Sequence, residues 1–105
     1  MSKLPPELQR LTQDLPPDNA KDVEAAILSS PYLVSVLTLA TQQDHGNVKK
    51  IVISNNPNEG GHFDTQDNTI HIKSDAFQYA KLNERYDHLV TVIGHETDNH
   101  SSHIA

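Results

Sequence analysis

Histidines are concentrated near the end of this 105-residue chain, where they could bind a metal ion. The chain has seven histidines. Four of them lie between Asn83 and Ala105, namely His88, His95, His100 and His103. Histidine titrates near neutral pH and is the commonest metal ligand in proteins. The cluster therefore predicts a metal site on this segment, and the choice of ligands depends on how the segment folds.

The histidine-rich segment is predicted to form a helix that begins near Asn83 and continues beyond His100. Its apolar residues recur at helical spacing and predict one buried face; they are Leu82, Tyr86, Leu89, Val90 and Ile93. On a regular helix His95 and His100 are roughly 140° apart, at about 100° per residue. They could share one ion only if the helix contained a one-residue bulge of the π type. His100 and His103, three residues apart, could share an ion without a bulge.

The motif Gly94-His95-Glu96-Thr97 resembles the active-site helix of the zincin metallopeptidases, whose usual form is His-Glu-x-x-His. The run from Ile51 through Glu96 is similar to a minimal zincin: a strand, an edge strand such as Thr69 to Lys73, then the active-site helix. In that family the edge strand pairs with an extended substrate. The resemblance implies that His95 is a zinc ligand and that Glu96 is the general base beside the metal-bound water. In overall texture the chain also resembles metallopeptidase modules of bacterial secreted effectors.

The chain departs from the zincin motif after Glu96, because Asn99 occupies the fourth position after His95 and a histidine follows only at His100. Peptidases of the dipeptidyl peptidase III type look similar in having His-Glu-x-x-x-His, which implies His100 as the second ligand. Zincins take a third ligand from well downstream, yet only five residues follow His100. The upstream candidates for that ligand are His62, Asp64 and His71.

Residues 1–47 are predicted to form three short helices separated by prolines. Proline is tolerated in the first turn of a helix and interrupts a helix elsewhere. Caps of Asn, Asp or Ser mark the helix starts, and a left-handed glycine marks the last end. The boundary signals along the chain are Pro5-Pro6, Pro16-Pro17, Asp18 or Asn19, Ser30-Pro31 and His45-Gly46-Asn47.

Residues 48–105 are predicted to form a strand, a second strand and the histidine-rich helix. Lys50 to Ser54 is short and β-branched, which suits a buried strand, and Thr69 to Lys73 alternates like a half-exposed one. The Asn, Gly and Asp residues between Asn55 and Asn68 predict a loop, and Asp75 to Phe77 a brief helical turn. The fold class is therefore α+β, with N-terminal helices, a small sheet with a substrate-type edge strand, and a C-terminal active-site helix.

The predicted loop also invites a calcium interpretation through Asp64, Asp67 and Asn68. Its spacing does not match the twelve-residue calcium loop, and no glutamate closes it. Calcium is therefore not favoured by the sequence.

Composition excludes several classes of protein. Only 35% of the residues are hydrophobic and 5% aromatic, which predicts one domain with a thin core of Leu, Ile and Val. The net charge is −6 and Lys and Arg are scattered, which argues against nucleic acid as a partner. The absence of cysteine excludes disulfides and thiolate zinc sites.

The sequence has no membrane span, because no apolar run approaches the required length. Its start lacks the apolar core of a signal peptide, which indicates cytoplasmic synthesis and leaves specialised secretion open. The predicted last helix reaches Ala105 without a helix-end signal such as a cap, a glycine or a proline. This predicts a fragment or the first part of a longer protein.

Three functions follow from these observations. The resemblance implies a zinc-dependent hydrolase acting on a peptide or on an amide such as those in peptidoglycan. Asn99 favours instead a non-catalytic interaction or assembly module of a bacterial effector that keeps the peptidase scaffold. The histidine content also suits a metal-binding or pH-responsive domain without enzymatic activity.

Overall fold

The computed structural model describes residues 4–42, 47–54, 62–64 and 66–104. The helices are α1 (Pro6–Gln9), α2 (Pro17–Leu28), α3 (Pro31–Ala40) and α4 (Leu82–Ile104). The strands are β1 (Lys50–Ser54), β2 (His62–Asp64) and β3 (Thr69–Lys73). Short 3-10 turns follow α1 at Arg10–Thr12 and β3 at Ser74–Phe77. The predicted α+β class is confirmed.

The three strands form one sheet in the order β1-β3-β2. β3 runs parallel to β1, with Thr69 opposite Lys50, and antiparallel to β2, with Thr69 opposite Asp64. The strand predicted at the edge, Thr69–Lys73, therefore lies in the middle of the sheet, and that prediction is wrong. The reason is that residues 62–64, predicted as loop, pair with β3 and cover its second side.

One face of the sheet belongs to the core. Ile51, Ile70 and Ile72 are fully buried and cluster with apolar residues of all four helices, among them Leu89 and Ile93 of α4. Because successive side chains of a strand point to opposite faces, the other face carries the polar residues. Across the three strands these residues include Lys50, Thr69, His71, Lys73 and Asp64.

The helix starts depend on proline. Ser30 caps α3 as predicted: its side chain accepts a hydrogen bond of 3.2 Å from the Leu33 N–H. The cap predicted for α2, Asp18 or Asn19, is wrong. Helix α2 begins at Pro17, and Pro16 occupies the cap position without a side-chain hydrogen bond. Proline at the first helical position has no N–H to satisfy and already has a helical φ, so no polar cap is needed there.

The end of α3 also differs from the prediction. The helix stops at Ala40, five residues before His45. The Val48 N–H donates to the Ala40 carbonyl at 2.9 Å, which turns the chain back and buries Val48 in the core. Asn47 has a left-handed φ of 54°, a conformation that asparagine adopts more readily than most residues. His45 and Gly46 lie outside the described residues.

Helix α4 is fixed to the rest of the fold near its start. The Arg85 guanidinium donates to the Asp22 carboxylate of α2 at 3.0 Å and to the Tyr79 carbonyl at 2.9 Å. Both charged side chains are largely shielded from solvent. The predicted start near Asn83 and the extension beyond His100 are confirmed.

Within the described part of the chain, no helix on its own has the length and apolar content of a membrane span. Only α2 and α3 taken together, across a bend of 108°, meet that criterion. Their residues Val23, Ile27, Leu33 and Leu37 are fully buried in the core.

Candidate functional site

The predicted pair His95 and Glu96 lies in the C-terminal half of α4. His95 is exposed, whereas Glu96 is only 8% exposed. Consecutive residues of an α-helix are about 100° apart around its axis, so the imidazole is directed to solvent while the carboxylate is directed into the protein. The two side chains of the motif therefore differ in their access to solvent.

The second predicted ligand, His100, lies on the same helix. α4 is α-helical throughout Leu82–Ile104, so this range lacks the π-type bulge that would bring His95 and His100 onto one face. The side chains from Asp98 to Ile104 are outside the described residues. That His95 and His100 share an ion therefore stays a prediction.

Glu96 is flanked by residues that anchor the helix in the core. Thr97 is fully buried, and its hydroxyl donates to the Ile93 carbonyl at 2.7 Å. Ile93 is itself fully buried among the core residues. A carboxylate in this position is removed from most of its hydration, which costs free energy unless polar partners replace the water.

Gly94, which is also part of the motif, is not required by sterics. A Cβ placed there would lie 3.9 Å from the Leu33 Cδ1, an ordinary van der Waals contact. Because glycine in a helix interior is less favourable than alanine, Gly94→Ala is expected to raise the free energy of unfolding by about 0.5–1 kcal/mol. Urea unfolding followed by circular dichroism measures this change in the free energy of unfolding. A loss of stability would mean that α4 and α3 pack more closely than this contact indicates.

A second group of possible ligands lies on the β2–β3 hairpin. The ligand atoms of Asp64, Asp67 and His71 are all within 4.8 Å of one another. Asp64 ends β2, Asp67 lies in the turn and His71 is in the middle of β3. Asp64 and His71 are half-buried and Asp67 is exposed. We call these three residues the hairpin triad.

Hydrogen bonds within the hairpin turn hold the Asp64 carboxylate and the backbone of Asp67. The Gln66 N–H donates to Asp64 Oδ1 at 2.9 Å, and the Thr69 hydroxyl donates to the Asp67 carbonyl at 3.3 Å. Asn68 adopts a left-handed φ of 55°, which closes the turn. The Nε2 atom of His71 is shielded from solvent.

The hairpin triad and the His95–Glu96 pair occupy different places in the fold. His71 points away from Ile70 and Ile72, which face the core with the buried side chains of α4. Neither His95 nor Glu96 belongs to the triad. The upstream candidates Asp64 and His71 are thus brought together with Asp67, and the His62 side chain is outside the described residues.

A positive charge lies on the sheet face that carries the triad. Lys50 Nζ is 2.9 Å from Asp14 Oδ2. The hydrogen bond from Lys50 to Asp14 and the charge of that carboxylate raise the pKa of the lysine, and the charge of Asp67 adds to the rise. A raised pKa keeps the ammonium charged throughout the neutral range. The ion pair with Asp14 is therefore lost only as the pH rises through the raised pKa of Lys50.

Two shallow clefts lie elsewhere and share the Tyr79 and His88 rings, whose centroids are 4.9 Å apart. One cleft, of about 300 Å³, is also lined by Asp75 and Gln78, and the other by Glu84, Asp87 and Thr91 of α4. Neither cleft is lined by the hairpin triad or by the His95–Glu96 pair. They do not mark a substrate cleft at either candidate site.

Sequence reasoning considered Asp64 and His71 as single ligands, and Asp64 with Asp67 for calcium, but it missed the three as a group. Their grouping depends on β2, which was predicted as loop. The available signal was the recurrence of metal-ligand residue types at positions 64, 67 and 71 on both sides of a short turn. Comparison with known protein families, curated proteins and solved structures found no match for this chain.

Proposed function

We propose that this chain is a metal-binding domain that holds one divalent cation between Asp64, Asp67 and His71. The observation that supports this proposal is the convergence of their ligand atoms within 4.8 Å. Two carboxylates at such short range repel each other, and a cation bound between them replaces repulsion with attraction. The imidazole adds a nitrogen ligand, which transition metals and zinc accept readily.

We propose zinc as the cation. Zinc binds histidine nitrogen together with carboxylate oxygen, whereas calcium and magnesium prefer sets made of oxygen alone. The chain has no cysteine, so histidine and carboxylates are its strongest available zinc ligands. Three protein ligands also fit zinc, which in sites of this kind keeps one position for water or another molecule.

The protein contributes the placement of the ligands. β3 pairs on both sides, which fixes the backbone of His71. The Gln66 N–H holds one oxygen of Asp64 and leaves the other carboxylate oxygen for a cation. All three ligands come from one hairpin, so cation binding would link the two strands and the turn directly.

Zinc content after equilibrium dialysis tests the proposal, using elemental mass spectrometry on the wild type and on Asp64→Asn, Asp67→Asn and His71→Gln. We expect about one zinc per wild-type chain and affinities at least about tenfold weaker in each variant, as expected when a ligand is removed. Asp75→Asn and His88→Gln are matched controls outside the triad and should bind like the wild type. Equal binding by ligand variants and controls contradicts the proposal.

The second candidate function is the zincin-like peptidase, and the burial of Glu96 favours it. Glu96 is 8% exposed, and acids buried in this way are enriched at functional sites. Under this proposal α4 forms a one-residue bulge when the ion binds, so that His95 and His100 hold zinc, which when bound supplies an activated water. Glu96 accepts a proton, and the substrate is a peptide or an amide of the peptidoglycan type.

Hydrolysis of quenched peptide substrates and of peptidoglycan tests this candidate. Glu96→Gln is expected to keep zinc and to lose turnover, whereas His95→Ala loses both. Glu84→Gln, an exposed acid on the same helix, is the control. If zinc binding survives His95→Ala but not Asp67→Asn, the cation belongs to the hairpin triad. Zinc binding without hydrolysis in any variant would favour the non-enzymatic domain or the effector assembly module.

A further inference from the structure

The sheet face that carries the hairpin triad also carries a lysine in register with it. Lys50 of β1 lies opposite Thr69 of β3, and Thr69 lies opposite Asp64 of β2. These three residues form one row across the sheet, and His71 follows two residues after Thr69 on the same face. With strands about 4.8 Å apart, the backbones of Lys50 and Asp64 are separated by about 10 Å.

The Lys50 side chain lies on the triad's face of the sheet. Its Nζ is 2.9 Å from Asp14 Oδ2, in an ion pair whose two side chains are 41% and 54% exposed. The Lys49 N–H donates to the Asn68 carbonyl at 2.8 Å, so the start of β1 is bonded to the turn that carries Asp67. The charge of Asp67 adds to the rise in the pKa of Lys50.

We propose that Lys50 is an internal counter-cation of the hairpin triad, which balances its carboxylates and lowers its affinity for a divalent cation. This inference rests on the proposed metal-binding function. A cation that binds the triad must approach a charge of the same sign on the same face of the sheet. At low salt, repulsion between a divalent ion and an ammonium roughly two strand spacings apart amounts to roughly a threefold to tenfold loss of affinity.

The other charged groups near this face differ from Lys50 in their position or in the sign of their charge. Lys73 lies on the same face beyond His71, and its ammonium is 3.7 Å from Asp75 at the opposite end of β3 from the turn. Asp14 is negative and attracts a cation as it attracts Lys50, so it does not lower the affinity of the triad for a cation. Lys49 precedes β1 and is exposed.

The test compares zinc affinity, measured by competition with a chromophoric chelator, among the wild type, Lys50→Met, Lys50→Arg and Lys49→Met. Lys50→Met is expected to bind zinc about threefold to tenfold more tightly, and the gain should shrink between about 0.02 M and 0.5 M salt. Lys50→Arg keeps the charge and should stay within about twofold of the wild type. Lys49→Met removes the same positive charge from the net charge of the chain, but from a different position. It should therefore change the zinc affinity less than Lys50→Met does.

The outcomes separate the inference from the function on which it rests. Zinc binding by the wild type with equal or weaker binding by Lys50→Met overturns the role of Lys50 and leaves the metal site intact. A gain as large in Lys49→Met as in Lys50→Met also overturns it, because the effect would then follow net charge alone. No zinc binding by any of the four proteins overturns the metal site and the role of Lys50 together.

Discussion

Replacing Leu89 by alanine is expected to lower the free energy of unfolding by about 2–5 kcal/mol, the range for large-to-small changes in a well-packed core. Leu89 is 0% exposed and belongs to the same core cluster as Ile70 and Ile72 of the sheet. The lost side chain removes apolar burial and leaves a cavity in this core. Domains of this size are stable by only about 5–15 kcal/mol in total.

Leu82 on the same helix provides the matched control, because it undergoes the same chemical change at 54% exposure. Leu82→Ala is expected to change stability by no more than about 0.5 kcal/mol. Urea unfolding followed by far-ultraviolet circular dichroism gives both values. The chain has no tryptophan, so the helical signal is the more suitable probe. Similar losses in the two variants would mean that α4 does not pack into the core through Leu89.

The docking of α4 also determines the environment of Glu96. Glu96 lies seven residues after Leu89, which is about two turns later and nearly the same side of the helix. Its 8% exposure therefore follows from the same packing that buries Leu89 and Ile93. Glu96 and Leu89 should therefore become exposed together when the domain unfolds. Leu89→Ala would expose Glu96 earlier only if the end of α4 separated from the core on its own.

Local patterns predicted the elements whose signal lies within their own residues. β1 and β3 match their predicted ranges, Lys50–Ser54 and Thr69–Lys73, because short β-branched runs between polar segments are typical of strands. β2 was missed because His62-Phe63-Asp64 has one apolar residue and is too short to show alternation. Its pairing with β3 is a tertiary contact, and it changed the predicted edge strand into a central one.

The two candidate sites also differ in whether their signal is local in the sequence or depends on tertiary contacts. The His95–Glu96 motif is local and was found directly, but residue spacing does not reveal that one side chain is exposed and the other buried. That difference depends on which face of α4 packs against α2 and α3. The hairpin triad depends on β2, so its three members were visible in the sequence without the contact that brings them together.

Zinc is expected to raise the free energy of unfolding by about 2.7 kcal/mol when its free concentration is about one hundred times the dissociation constant. The three ligands are close together only when the hairpin is formed, so the cation binds the folded chain and scarcely binds the unfolded one. For a domain of this size the gain corresponds to an increase of about 10–20 °C in melting temperature. Thermal unfolding followed by circular dichroism, with and without zinc, measures the increase.

The increase should disappear when a chelator is added and should be absent in Asp67→Asn, which keeps the size of the side chain but removes a negative ligand. Asp67 is exposed, so this variant should fold like the wild type without metal. Asp75→Asn, also exposed and outside the triad, should keep the full increase. Zinc stabilisation that persists in Asp67→Asn but disappears in His95→Ala would transfer the site to α4 and restore the peptidase as the better explanation. No stabilisation of the wild type at any zinc concentration would mean that the three side chains meet without binding a cation.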